Sequence, residues 1–520
     1  MTTTSPGRPN PTHPNPARPN PEVPSPPGTD GRRLRTTVLA VASASLMLPF
    51  SVTGAAVALP GMASDLGSSV GSAQWVLNGF NIGFAALPLA AGGLADRYGR
   101  RRVLLAGITL VGAMSLLVAL APSMALVDAA RAVQGCGAAA VLASGAAVLA
   151  HGVPGPRRPV AFGILGTAFG TGLAAGPPVA GALVEALGWR SVFLLVAVMA
   201  LPAGLCATRT PESRGADARG PIDLAGLVLF TAGLGALAFG FARVTTDGWA
   251  APAPLGLFSA AALLVLLFAA VELRRADRAL FDVRLFGRPE FVAVVCQPFT
   301  VTLGFVVLLV YLPAYLQGTA GRGTLDSGLL LLPMTAPVLL LPLAAGRLAG
   351  RTSVRAVLTA ASVLIATGAL LLTTLDDGAS LAALAVPLLP FGAGVGLAFG
   401  VMDGAAVGTV PVERAGAAAG IFNTLRITGE SVAVAGAAAL LTSLTSARLR
   451  AGGLGGDAAS DLAGQAVVQG RVAPEHRDAV AAGFTGALHT VGLLLAALSA
   501  AGALFTWLAL RPGRDPGSRR

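Results

Sequence analysis

"GGLADRYGRRRVLLAG", residues 92–107, sets one Asp and four Arg between two apolar stretches. The flanking segments 75–95 and 103–121 carry no charged residue. Each has roughly the 20 residues that a helix needs to cross a bilayer. The stretch therefore reads as a polar turn between two membrane-spanning helices. Gly92 and Gly93 let helix backbones approach closely, and Gly99 permits a tight turn. Asp96 is placed to accept from the N–H groups of a helix N-terminus and from an Arg. Arg100, Arg101 and Arg102 hold the turn on the cytoplasmic side, and Arg97 precedes them.

The rest of the chain agrees with that reading. Of its 520 residues, 54% are hydrophobic and only 12% are charged, where a soluble protein would be about 25% charged. Every one of the 36 basic residues is Arg, which fits a GC-rich coding bias together with the abundant Ala, Gly and Pro. The net charge of +11 is what loops retained on the cytoplasmic side of a membrane protein produce, so no nucleic-acid partner is expected. Cys136, Cys206 and Cys296 lie inside apolar runs without paired spacing, and the His are scattered. Neither a disulfide framework nor a metal site is expected. A phosphate-binding glycine loop would end in Lys, which the chain lacks, so ATP is disfavoured as the energy source. No catalytic triad is found; the chain is not read as an enzyme, and no cofactor is expected.

Fourteen spans are expected, near 36–59, 75–95, 103–121, 124–150, 159–185, 190–208, 223–243, 253–273, 290–317, 327–346, 355–374, 380–405, 415–443 and 482–510. Residues 1–35 are Pro-rich and expected to be disordered; 511–520 form a tail. With both ends cytoplasmic, about 27 Arg fall on the inner side and about 7 on the outer, as the positive-inside rule demands. The turn at Gly92 has an echo in "GRLAGRTSVRAVL", which starts at Gly346. If the two correspond, 36–208 and 290–510 are repeated six-helix halves, and 209–289 is a linker carrying two inserted helices. Such repeats are the usual build of secondary transporters. The second half contains one long outer loop, 446–481.

The order of residues from Gly92 to Arg102 resembles the signature loop of the major facilitator superfamily. The resemblance implies that Asp96 and its Arg neighbours latch the two halves together in one state of a transport cycle. "RAVQGCGAAA", with Arg131, Gln134, Gly135 and Gly137 in the fourth span, resembles the family's second motif, whose buried Arg is implied to take part in proton coupling. "GTGLAAGPPVAG" in the fifth resembles the antiporter motif, through Gly172, Gly176, Pro177 and Gly181. The stretches "LGWRSVF", "FDVRLFGRPEF", "YLPAYLQG" and "VERAGAAAGIFNTLRITGES" resemble marks of the fourteen-helix drug:proton antiporter branch. The fold implied is all-α, a major facilitator fold of two six-helix halves plus two inserted helices.

One position departs from the branch. Its first span usually carries an Asp, and "PFSVTGAAVALP" has Ser51 there. Coupling would then use another acid, or be weaker than in the relatives. Intramembrane acids are rare and usually functional. Asp128 is three residues before Arg131 on one helix face, so the two can neutralise each other. Asp403 sits near the inner end of the twelfth span, either as a coupling acid or as an exposed terminal residue. Glu430 lies four residues after Arg426 and is either a proton or substrate group, a structural partner of that Arg, or a residue at a mis-set helix end. His489 reads as a packing residue.

The function expected is proton-driven export of amphipathic small molecules by a multi-pass protein of a bacterial cell membrane, with protons, substrate and lipid as its partners and a monomeric carrier. An exporter of a metabolite such as an amino acid or siderophore is the alternative, and a non-transporting sensor or scaffold the second.

Overall fold

The computed structural model describes residues 30–68, 75–153, 155–215, 224–247, 249–274, 283–319, 321–322, 324–376, 380–411, 414–470 and 472–510. Most of the Pro-rich N-terminus and the tail lie outside them. The described residues form α1 (Asp30–Asp65), α2 (Trp75–Ala86), α3 (Pro88–Tyr98), α4 (Arg100–Leu120), α5 (Met124–Gly152), α6 (Arg158–Leu187) and α7 (Arg190–Thr208). Two further helices follow, α8 (Leu224–Asp247) and α9 (Pro252–Arg274). The second group comprises α10 (Pro289–Val295), α11 (Gln297–Gly318), α12 (Thr324–Leu330), α13 (Leu332–Arg351), α14 (Val354–Leu371), α15 (Leu381–Phe399), α16 (Met402–Gly408), α17 (Ala415–Ala451), α18 (Gly456–Gly464) and α19 (Arg477–Ala509).

A helix lies at every expected span, with local differences that have causes. Residues 30–35, expected to be disordered, are helical and open α1. The span at 75–95 is two helices bent by 50°, because Pro88 heads α3 without an N–H to give the preceding turn. The outer loop 446–481 is largely helical: α17 runs on to Ala451 and α18 follows. Among the described residues, eleven helices are long and apolar enough to cross a membrane, or twelve if α2 and α3 count as one span.

Two large apolar cores result. One is built chiefly from α1 to α7 and the other from α11 to α19; Phe169 of α6 packs against both. The outer lipid-facing surface explains the exposed Leu and Val of α4, α7 and α9. The inserted helix α8 stacks Trp75 of α2 on its Phe239, ring centres 5.5 Å apart. A smaller core joins Phe268 of α9 to Leu89 of α3 and to Phe291 and Ile421 of the second group. At the end remote from the 92–107 turn, Asp65 of α1 accepts from the Trp189 indole at 3.1 Å and pairs with Arg190.

The two groups meet along two seams at the end that carries the turn. A Cβ on Gly92 of α3 would collide with the Gly416 carbonyl at the start of α17. A Cβ on Gly346 of α13 would collide with the Pro159 carbonyl at the start of α6. Gly92 and Gly346 open the two similar stretches of sequence. The sequence echo is therefore also an echo in packing.

Candidate functional site

The turn itself is a single residue. Gly99 joins α3 to α4 at φ +119°, a backbone region closed to ordinary side chains. Asp96, in the last turn of α3, accepts from Gly416 N–H at 3.3 Å and Ala417 N–H at 3.1 Å. These are unsatisfied donors of the first turn of α17, where a carboxylate is favoured. The same carboxylate receives Arg100 through Nε and Nη2, both at 2.8 Å, and Arg100 is fully buried. Gly92, one turn earlier, keeps the helices close enough for the carboxylate to reach across. Arg97 lies over the ring of Tyr98, 5.6 Å away.

Sequence reasoning missed Glu212. Its Oε1 accepts from the Arg101 backbone N–H at 3.0 Å, capping α4, and its other oxygen lies 3.7 Å from both Arg101 and Arg102. Arg100 N–H donates to the Ser213 carbonyl at 3.0 Å, and Gly215 N–H to the Asp96 carbonyl at 2.6 Å. A Cβ on Gly99 would lie 2.7 Å from the Glu212 carboxylate, a second reason for glycine. The signal available was an acid in the basic stretch "RTPESR" just after the sixth span.

Arg131 is fully buried in α5. Its Nε donates to the Val76 carbonyl at 3.0 Å, and its Nη1 to Ser51 Oγ at 3.1 Å and Gln134 Oε1 at 2.5 Å. Its guanidinium carbon lies 4.2 Å from the centre of the Phe80 ring. The expected Asp128–Arg131 pair does not form: Arg131 turns inward to α1 and α2, while Asp128 is half-buried with an Oδ1 that no group meets. The residue standing where the branch has its acid is thus in contact with the motif's Arg, but as a neutral hydroxyl.

Arg426 sits where the two groups meet. Its side chain is 2% exposed, and its Nη1 lies 3.4 Å from Asp403 Oδ2. Asp403 is buried rather than terminal and exposed, because the helix breaks at Gly400–Val401 and α16 turns it inward. The expected Arg426–Glu430 pair is replaced by this one. Glu430, one turn along α17, is half-buried and makes no ion pair with Arg426. Phe169, from the opposite group, lies under the guanidinium at 4.5 Å. A narrow cavity here is lined by Ser45, Leu142, Phe169, Phe399, Asp403 and Arg426.

The glycine motif of α6 packs this helix on α1. A Cβ on Gly172 would strike the Leu46 carbonyl and one on Gly176 the Thr53 hydroxyl, whereas Gly181 faces open space. Pro177 lies within α6. His489 contacts the Leu375 carbonyl at 2.9 Å, as a packing residue would. Among the described residues no cluster of His, Cys, Asp or Glu could hold a metal.

Two helix groups with separate cores, joined at one end by glycine contacts and by Asp96, are the architecture of a polytopic membrane carrier. Residues 39–434 match the family described as Major Facilitator Superfamily, and the chain belongs to that family. It is 32% identical over 398 residues to "Multidrug resistance protein Stp" of Mycobacterium tuberculosis, covering 76% of this chain and 73% of that one. With "Puromycin resistance protein pur8" of Streptomyces alboniger it shares 33% identity, over 81% and 84% of the two chains. With the "Tetracenomycin C resistance and export protein" of Streptomyces glaucescens it shares 30%, over 78% and 76%. A proton:xylose symporter structure superposes with TM-score 0.60 at 15% identity, covering 92% of this chain and 96% of that one; this likeness concerns the fold.

Proposed function

We propose that the chain is a drug or antibiotic exporter of a bacterial plasma membrane that works by alternating access and proton entry. The observation that carries this is the similarity, over three quarters of the chain or more, to proteins named for drug resistance and export. The chain crosses the membrane fourteen times in this reading, with both termini cytoplasmic, because that topology keeps most Arg inside. The latch then lies on the cytoplasmic side. Its closure marks an outward-facing state, and release of Asp96 from α17 opens the inward-facing one.

Coupling is assigned to Arg426 and its two acids. In the state described, Arg426 is paired with Asp403, and no ion pair joins it to Glu430, one turn along α17. A single Arg exchanged between two carboxylates leaves the other without a counter-charge, and a buried carboxylate without one favours its protonated form. Asp128 is the reserve acid in the first half. Ser51 removes the acid beside Arg131, so that arginine is given a structural role.

The test uses inside-out vesicles with an acidic interior, energised by the proton gradient. Substrate should accumulate and a protonophore should abolish the accumulation. Folded Glu430→Gln protein should keep substrate counterflow and lose gradient-driven uptake. Gradient-driven uptake at the wild-type rate would remove Glu430 from the coupling path.

A further inference from the structure

We infer that the cavity at Arg426 is a subsite for planar aromatic groups edged with carbonyl or phenolate oxygens, and that Phe169 displaces the substrate from it when the latch end closes. The inference rests on the export reading and adds a substrate class to it. Arg426 is nine-tenths buried, yet its Nε and Nη2 have no hydrogen-bond acceptor. A buried donor without an acceptor is costly, so the geometry favours a state in which an acceptor is supplied. The cavity walls supply none to those atoms: Leu142, Leu165 and the Phe rings are apolar, the Ser45 hydroxyl does not bond them, and Asp403 reaches only Nη1.

The guanidinium face is covered by a ring that can leave. Phe169 belongs to α6 and Arg426 to α17, so the 4.5 Å contact spans the two halves. Phe169 also meets Phe399 edge-on, ring centres 5.8 Å apart. When the halves part at the latch end, Phe169 is carried off and exposes a flat cation in an apolar setting. A planar aromatic molecule fits that face by cation–π attraction, and an oxygen at its edge reaches the unused N–H groups. Asp403 already offsets the charge, so a neutral carbonyl suffices. Glu430, one turn away, disfavours a multiply charged anion. On closure Phe169 returns to the face it shares with the substrate, and the bound ring is expelled.

The experiment measures equilibrium binding to the purified full-length protein in lipid nanodiscs. Alizarin, a dihydroxyanthraquinone, is compared with tetraphenylphosphonium, which is aromatic but lacks an acceptor oxygen. In Arg426→Lys the ratio of alizarin to tetraphenylphosphonium affinity should fall roughly tenfold, since Lys lacks the planar face and fork of donors. Phe169→Leu should tighten alizarin binding about threefold, because it removes the competitor for the face; loss of packing alone would not tighten anything. The subsite is overturned if wild-type protein does not bind alizarin, if Arg426→Lys leaves the ratio unchanged, or if Phe169→Leu weakens alizarin. Binding with these dependences but no movement of either probe across vesicles would sink the export reading and leave the subsite standing. Transport of tetraphenylphosphonium without Arg426-dependent alizarin binding would do the reverse.

Discussion

Asp96 neutralises an arginine that is fully buried and at the same time caps a helix of the opposite half. Asp96→Asn keeps the shape but removes the charge that Arg100 faces. Breaking such a pair costs about 3–5 kcal/mol when both partners are buried; Asp96 keeps 16% of its side chain exposed, so the low end applies. Transport should fall at least roughly tenfold with insertion intact, read as initial rate per inserted protein. A normal rate would refute the latch. Glu212 gives a graded comparison. Its pairs with Arg101 and Arg102 are partly exposed and long, worth about 0–1 kcal/mol, but its capping of the Arg101 N–H is worth about 1 kcal/mol more. Glu212→Gln keeps an acceptor and should stay near wild type, while Glu212→Ala should lose transport about fivefold; equal losses would contradict the capping role. The contacts of Asp96 were legible in kind from the sequence, because its partners are an Arg four residues on and a helix start. The partners of Arg131 and Arg426 were not. Helical spacing points each Arg to an acid on its own helix, but the guanidinium reaches across to other helices, to Ser51 and Val76 in one case and to Asp403 in the other. Glu212 was missed for the same reason, being 111 residues from Arg101.

At the scale of elements, helix positions were readable from apolar length, and their breaks less so. Pro88 was visible, yet proline is tolerated inside membrane helices, so nothing in the sequence said that α2 and α3 would bend there. The break before α16 has no proline at all; there Gly400 packs closely against Pro342 of α13 and Gly166 of α6. The segment 446–481 was read as loop because it is polar; its helices instead lie on the second half, where Arg450 donates to Ser460 Oγ at 2.7 Å. Topology is tested on these elements. A cysteine at Ala458 should react with an impermeant maleimide added outside intact cells, and one at Arg288 should react only after permeabilisation. The opposite pattern would invert the orientation assigned to the whole chain.

For the molecule as a whole, both seams carry a close glycine contact, but the Asp96 contacts join one of them. In the sequence echo the position of Asp96 is taken by Gly350, beside Pro159, so among the described residues the second seam has no counterpart of the Asp96 contact. In the proposed cycle, rocking about the cavity at Arg426 opens the end that carries Asp96 as the opposite end closes, and Asp96 sets the balance. Spin-label distances measure this directly in a background with Cys136, Cys206 and Cys296 replaced by Ala. One pair, at His151 and Arg347, reports the latch end; the other, at Ala186 and Arg322, reports the opposite end. All four positions are exposed. Asp96→Asn should lengthen the first distance and shorten the second in the same sample. Two distances that stay fixed, or that change in the same direction, would contradict alternating access governed by this latch.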